Sequence, residues 1–596
     1  MSDTHDERAV PSLQRSQTRR QFLRKAALSS LGLSVAGVLA ACAESATAPT
    51  NTAAPAVAAA PTTAPATARP ALPASAVSGT TAPVASAQPL AAKQGGELTY
   101  ALATRFDTLD PNVTTFSVVG RMAFHMFDQL VREPNPGQFV PGLAEKWEIN
   151  ATADEYTFFL RKDVKFHDGT PFNAEAVKFT FDRVVDPNTK SQAAFSALGP
   201  YQSSTVVDPY TVRVKFKSPY APFLDSVSQP FLSPVSPTAV QKFGKDFGSN
   251  PVGTGPFKFE SYRTDNVVRM VKNPDYNWAP SIHRHSGPAY LDAINWRIIN
   301  EPATRAAALK SGEVQMIDDV PLQEYGEFRG NANFSLLQGV MAGSGYSMMI
   351  NVTKPPTDDV KVRQALAYAT DKANMIKTVW KDVHKPACSV LTSVTFGHDA
   401  STCQSFTYDP KKAAALLDEA GWTLSGGDTR KKGGQELVLA LFYRSDNPDN
   451  VAQATFLQAT YQQIGVKLDL RGLAQAGYFD AVRRGDHNMQ FWWGPATEPD
   501  VVRQYYYSAN AEGGTNRSRY KNPEMDKLID QAAGATNPEQ RKMLYAQIQK
   551  RVLDEGIMVF FADSQNIFAY QKAKVNDAVL DWSSTYPLLY DTSVNR

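Results

Sequence analysis

Cysteine is almost absent: three residues, Cys42, Cys388 and Cys403, in a chain of 596. That excludes a disulfide-dense scaffold and any four-cysteine zinc or iron-sulfur site. An excess of one charge is missing too, since 61 basic residues stand against 59 acidic ones. Without a broad basic field to neutralise phosphates, no nucleic-acid partner is expected. There is no GxSxG elbow, no GxxxxGK[ST] phosphate loop and no HExxH pair, so the common signatures of catalysis are lacking and the chain does not read as an enzyme. The adjacent carboxylates Asp318-Asp319 and Asp358-Asp359 read as solvated turns or caps rather than as an acid-base pair. Of eight histidines only His283 and His285 are closely spaced, with an arginine between them, and their Pro/Gly-bounded stretch reads as a solvated loop. No metal and no cofactor is expected. Long apolar runs are lacking as well. The uncharged stretch 26–41 rises only about 24 Å as a helix, short of a membrane core of about 30 Å.

What is present begins with an address. Thr18-Arg19-Arg20-Gln21-Phe22-Leu23-Arg24-Lys25 followed by the uncharged stretch makes the charged and apolar regions of a cleaved export signal. It resembles twin-arginine signals, whose cargo folds before export. Leu39-Ala40-Ala41-Cys42 resembles a lipoprotein box, which implies Cys42 as a lipidated first residue. Residues 1–41 are therefore expected to be the signal peptide, and 42–94 a disordered Ala/Pro/Thr-rich tether. Between Ala43 and Ala92 no residue is aromatic and only Glu44 and Arg69 are charged, too little to build a core.

The globular part starts near Gly95-Gly96-Glu97. Tyr156 to Leu160 and Thr211 to Phe216 read as strands, the second burying Val212, Val214 and Phe216 at period two. Asp409-Pro410 opens a helix with Ala413, Leu416, Leu417 and Ala420 on one face and Gly421 as its stop. Asn447-Pro448 opens another, with Val451, Ala454, Leu457, Tyr461 and Ile464 inward, and Val466 to Leu470 then alternates as a strand. A third helix is predicted to bury Val362, Leu366, Ala369 and Ile376 after Asp358-Asp359. This interleaving predicts an α/β architecture.

A series of landmarks then runs along the chain. It includes Thr108-Leu109-Asp110-Pro111, the run from Val140 to Trp147, and the run from Tyr156 to Phe172 containing Phe166-His167-Asp168-Gly169-Thr170-Pro171. Val252-Gly253-Thr254-Gly255-Pro256-Phe257, Asn273-Pro274-Asp275-Tyr276, Ser311-Gly312-Glu313-Val314 and Val362-Arg363-Gln364-Ala365-Leu366 follow in order. The series resembles the solute-binding proteins of ABC importers, specifically the peptide, dipeptide and nickel family, family 5. Most of these residues read as architecture. His167 belongs to a turn before a helix capped by Asn173, and Gly253 and Gly255 to a backbone bend.

The resemblance implies a two-lobed, periplasmic-binding-protein-like α/β fold with an additional subdomain and a ligand cleft between the lobes. Lobe I would comprise 95–139, 230–345 and 561–596, an accessory subdomain 140–229 with little ligand contact, and lobe II 346–560, with crossovers near Tyr346 and Phe560. The implied protein is a monomer exported and lipid-anchored at the outer face of the cytoplasmic membrane, serving an ABC permease and ATPase. A peptide or carboxylate-bearing peptide-like compound is the expected ligand; an opine, an oligosaccharide, a metal chelate, or a sensor role without transport are the alternatives, and a secreted hydrolase is disfavoured.

Site residues follow from matching motifs. Peptide-binding members place an aspartate three residues after a tryptophan to hold the ligand ammonium. Here the run is Trp492-Trp493-Gly494-Pro495-Ala496-Thr497-Glu498-Pro499, so the aspartate has become Pro495, with Glu498 or Asp500 as nearby substitutes. Arg444-Ser445-Asp446-Asn447-Pro448 matches the pattern whose arginine takes the ligand carboxylate. The pocket is thus expected to favour an acidic or neutral ligand. Thr115, Phe116 and Ser117 match the loop that lines family pockets, and Tyr346, Trp492 and Trp493 would supply stacking surfaces. Cys388 and Cys403, exported to an oxidising space, are expected to pair.

Overall fold

A computed structural model describes residues 95–114, 116–263 and 266–595. The expected signal peptide, the tether, Cys42 and Thr115 lie outside the described residues.

Three main sheets carry the fold. The first has seven strands in the order Phe334–Val340, Gln565–Gln571, Met316–Ile317, Glu97–Leu102, Ala293–Ile298, Val267–Lys272 and Phe257–Arg263. Glu97–Leu102 runs parallel to both its neighbours, and the outer pairs are antiparallel. The second has six strands, with Gly343–Ile350 between Met558–Asp563 and Met489–Pro495, and Val438–Arg444 parallel to Lys467–Leu473. A third, antiparallel sheet of four strands includes Glu155–Leu160 and Thr211–Phe216. Its alternation is the one read from the sequence: Val212, Val214 and Phe216 point inward, and each such side chain contributes about 1.5–3 kcal/mol when fully buried.

The cores explain why this is a two-lobed molecule. Tyr156, Phe158 and Phe223 of the accessory region pack in one continuous core with Leu98, Tyr100 and Trp296 of the first sheet. Met348, Ile350, Leu366, Leu441 and Leu457 build a separate core around the second sheet. The chain passes between the two sheets twice, at Met341-Ala342 and at Ser564, each time through a link of one or two residues between long strands.

Local signals mostly behave as their chemistry dictates. The Asp409 side chain accepts from Lys412 N to open Pro410–Glu419, and Asn447 does the same for Pro448–Gln462. Asn173 caps Ala174–Val185. Four readings need correction. Val451, on the helix that Asn447 caps, is exposed rather than inward. Ile376 is not in the helix with Val362: Val360–Ala369 ends at Thr370, and Asp371 caps a new helix, Lys372–Trp380, by accepting from Asn374 N. Asp318 is fully buried rather than solvated, accepting from Ala103 N and paired with Arg121. His283 and His285 do not sit in a solvated loop. Their Nδ1 atoms both meet the Asp591 carboxylate, at 3.2 and 2.8 Å, and His285 is sandwiched between Tyr290 and Tyr590, tying the end of the chain to the first lobe.

Cys388 and Cys403 form a disulfide, with Cα atoms 4.4 Å apart. Together with His398 they form a group of three potential metal ligands among the described residues, but both sulfurs are spent on each other. Closing a loop of this length stabilises the fold by about 3 kcal/mol in the loop-entropy description. A Cys388→Ser, Cys403→Ser double variant is expected to lose about that much in chemical denaturation. Thiol alkylation of the non-reduced, denatured globular unit should find no free thiol; two would contradict the pairing.

Candidate functional site: an acidic cavity between the lobes

A cavity of 1170 Å³ lies between the lobes. Ser117, Met341, Thr585 and Tyr586 reach it from the first lobe, and Pro495 to Thr497, Glu498, Asp500, Arg503, Asp530 and Gly534 from the second. The accessory region supplies a third wall through Ala193, Gly199, Tyr220, Asp225 and Gln229. The accessory region, expected to make little ligand contact, thus forms part of the cavity wall. Two direct hydrogen bonds cross from it to the second lobe: Thr497 Oγ1 donates to Asp225 Oδ2 at 2.9 Å, and Ala221 N donates to Ala533 O at 2.7 Å. A third contact comes from the hairpin Val131–Asn135 and Gln138–Pro141, whose turn residue Gly137, at φ +72°, lies flat against Phe396. Any Cβ there would meet the ring at 2.7 Å, and the left-handed backbone also favours glycine.

Charge on the walls is one-sided. Asp225, Glu498, Asp500 and Asp530 face the cavity against a single lining guanidinium, Arg503. Arg503 is divided between Asp500 at 2.9 Å and Asp530 at 2.8 Å. Behind the wall, Arg541 pairs with Glu498 and donates to Ala532 O at 3.2 Å and to the Tyr545 hydroxyl at 3.2 Å. Glu498 also accepts from Asp500 N at 3.0 Å, a short turn that holds the two acids close together. Asp225, 6% exposed, sits in the helical turn Phe223–Ser226 within an apolar stretch. Burial first and then Glu498 push its carboxyl up to about 7. Glu133, next to Asp225, is raised well above its ordinary value by burial and by Asp225. Asp500 rises to about 6, through burial and against the pull of Arg503.

The residues singled out in the sequence divide. Ser117, Pro495 and Glu498 line the cavity. Phe116 is exposed and caps the helix Ser117–Met126 without lining the cavity. Trp492 and Trp493 point to opposite faces of their strand, as alternation requires. Trp492 packs edge-on against buried Tyr505, ring centres 5.1 Å apart, whereas Trp493 stacks over Tyr346 at 6.2 Å and donates to Ser564 Oγ at 3.0 Å. Gly494 lies where a Cβ would strike the Tyr505 hydroxyl at 1.9 Å. Arg444 is not among the lining residues. Its guanidinium is forked onto Asp446 at 3.0 and 3.2 Å, so a ligand carboxylate would have to displace that partner. Asp225, Thr497, Arg503 and Arg541 were not singled out, although a lone aspartate inside Pro222-Phe223-Leu224-Asp225-Ser226-Val227 is a sequence signal for a buried charge.

Residues 138–516 match the model of the bacterial extracellular solute-binding proteins, family 5. The chain belongs to that family. It is 28% identical over 496 residues to the glutathione-binding protein GsiB of Escherichia coli O1:K1, covering 80% of this chain and 90% of that one. Among solved structures it resembles NikA from Brucella suis in complex with Fe(III)-EDTA, with a TM-score of 0.74 and 25% identity over 84% of this chain and 100% of the other. It also resembles the periplasmic binding protein DppA from Helicobacter pylori in complex with the peptide STSA, with a TM-score of 0.67 and 25% identity over 84% and 99%. The two-lobed α/β architecture of this family member is the one its landmarks imply; of these relatives GsiB is named for binding glutathione and DppA is described as an ABC transporter-associated periplasmic binding protein.

Proposed function

We propose that this chain is the substrate-binding lipoprotein of an ABC importer, which captures an organic, peptide-like solute by lobe closure and hands it to a membrane permease and its ATPase. The observation that carries this reading is the cavity itself: it is walled by both lobes and the accessory region and bridged by the Asp225–Thr497 and Ala221–Ala533 hydrogen bonds. A ligand that touches both walls favours the closed state over the open one by the difference in its contacts, and the two short links at Met341-Ala342 and Ser564 are where the chain can bend. GsiB, by its name, binds glutathione, and DppA is seen with a peptide. Both support a peptide-like ligand here. Anchoring through Cys42 at the outer face of the cytoplasmic membrane, action as a monomer and the absence of turnover complete the reading.

The direct test is mass spectrometry of small molecules released from purified, denatured protein, followed by small-angle scattering with the identified compound. The radius of gyration should fall at saturation relative to ligand-stripped protein. An unchanged profile at proven saturation would count against a receptor that closes.

A further inference from the structure

The cavity gathers more carboxyl groups than its arginines pair, and their distribution points to the group it is built to receive. Arg541 is engaged by Glu498, and Arg503 is shared by Asp500 and Asp530. Asp225 has neither: its Oδ2 takes the Thr497 hydroxyl, its other neighbour is the carboxyl of Glu133, and no salt bridge reaches either acid among the described residues. Across the cavity Asp500 Oδ1 is buried with no hydrogen-bond partner. Two carboxyl groups side by side in a site shielded from water, facing a third wall of carboxylates, are stabilised either by a shared proton or by a cation from outside.

We infer that the cavity holds a ligand bearing an ammonium or guanidinium group, and that Asp225 is the residue that receives it, with Asp500 and Glu498 completing the ring from the second lobe. The inference rests on the proposed binding role of this cavity and names the chemical class of its ligand. It also relocates the charge recognition. Pro495 on the cavity wall offers no carboxylate, and Asp225 approaches from the opposite lobe, so the ligand cation itself would join the two halves that Thr497 and Asp225 bridge directly. An acidic or neutral ligand, expected from Pro495 together with Arg444, would face repulsion or leave Asp225 uncompensated.

The test uses the ligand-stripped protein and two probes: a pool of tripeptides lacking lysine, arginine and histidine, and the same pool N-acetylated. Asp225→Asn keeps an oxygen for Thr497 while removing the charge, and thermal unfolding of the variant checks that it folds. The free-amine pool is expected to bind wild type at least tenfold more tightly than the acetylated pool, and Asp225→Asn should erase most of that difference. Equal binding of both pools, or a preference for free amines that survives Asp225→Asn, would overturn the inference while leaving peptide capture intact. If neither pool binds, the co-purified compound decides: a ligand with a basic nitrogen whose affinity falls tenfold in Asp225→Asn supports the assignment, and one without such a group overturns it. Failure of that same compound to close the lobes would instead count against the receptor reading.

Discussion

An Arg541→Leu variant is expected to lose about 3–5 kcal/mol of folding stability near neutral pH, the cost of stranding a buried carboxylate by removing its partner. Arg541 is only about one-eighth exposed and connects three elements: it pairs with Glu498 at the cavity wall, donates to the carbonyl of Ala532 and reaches the Tyr545 hydroxyl. Its guanidinium also lies 5.6 Å from the Phe396 ring, the surface on which the Gly137 turn rests. Removing it leaves Glu498 close to Asp500 and Asp225 with no compensating cation, so the loss should be partly recovered when Glu498 is replaced by glutamine in the same chain. Lysine should not rescue fully, because a single ammonium cannot span the carboxylate, the carbonyl and the hydroxyl as a planar fork does. Denaturant midpoints of the two single variants and the double variant measure the coupling. Additive effects would mean that the pair is not a unit and that the acids are neutralised elsewhere.

How much of this was legible beforehand depends on the range over which each signal acts. The caps at Asp409, Asn447 and Asn173 are contacts within three residues, and the alternation of Val212, Val214 and Phe216 needs only one strand, so both could be read from the sequence. Ile376 was misplaced because Asp371, a strong cap, interrupts a helical pattern that the apolar residues alone carry through. Asp318 and the two histidines were misread because their partners, Arg121 and Asp591, are 197 and about 300 residues away. The site suffers most from this. Family motifs led to Pro495 and Glu498, which do line the cavity, whereas Asp225 enters through a fold-wide approach of the accessory region to the second lobe that no local spacing encodes. Arg444 shows the opposite case: its motif is present, and in this structure its fork rests on a neighbour two residues on.

The largest solution effect expected of wild type is a dependence of ligand-free closure on pH, set by the acids at the lobe contact. In the closed arrangement burial and Glu498 lift Asp225 to about 7, and Glu133 is raised in the same direction; once the lobes part, Asp225 meets water and returns toward an ordinary value of about 4. A carboxyl whose value is raised on closure makes the closed state bind more protons, so its favourable contribution is complete below about pH 4, declines as pH rises and is gone above about 7. Asp500, lifted to about 6 by burial, acts with the same sign. Arg503 and Arg541 stay charged throughout and only moderate the change. Between pH 5 and pH 8 the closed population of ligand-free protein should therefore fall. The equilibrium constant should drop by about tenfold or more, because a proton held by the closed state and released by the open one costs closure about a factor of ten for each pH step. A cationic ligand reverses the sense: it needs Asp225 ionised, so its affinity should increase over the same interval as the competing proton is lost. Scattering profiles of stripped protein across pH, and titrations of a free-amine ligand at each pH, separate these two slopes. In Asp225→Asn both should flatten, because the amide does not titrate while the contact to Thr497 remains. A closure equilibrium independent of pH in wild type, or one that keeps its full slope in the variant, would show that the proton linkage lies outside this contact.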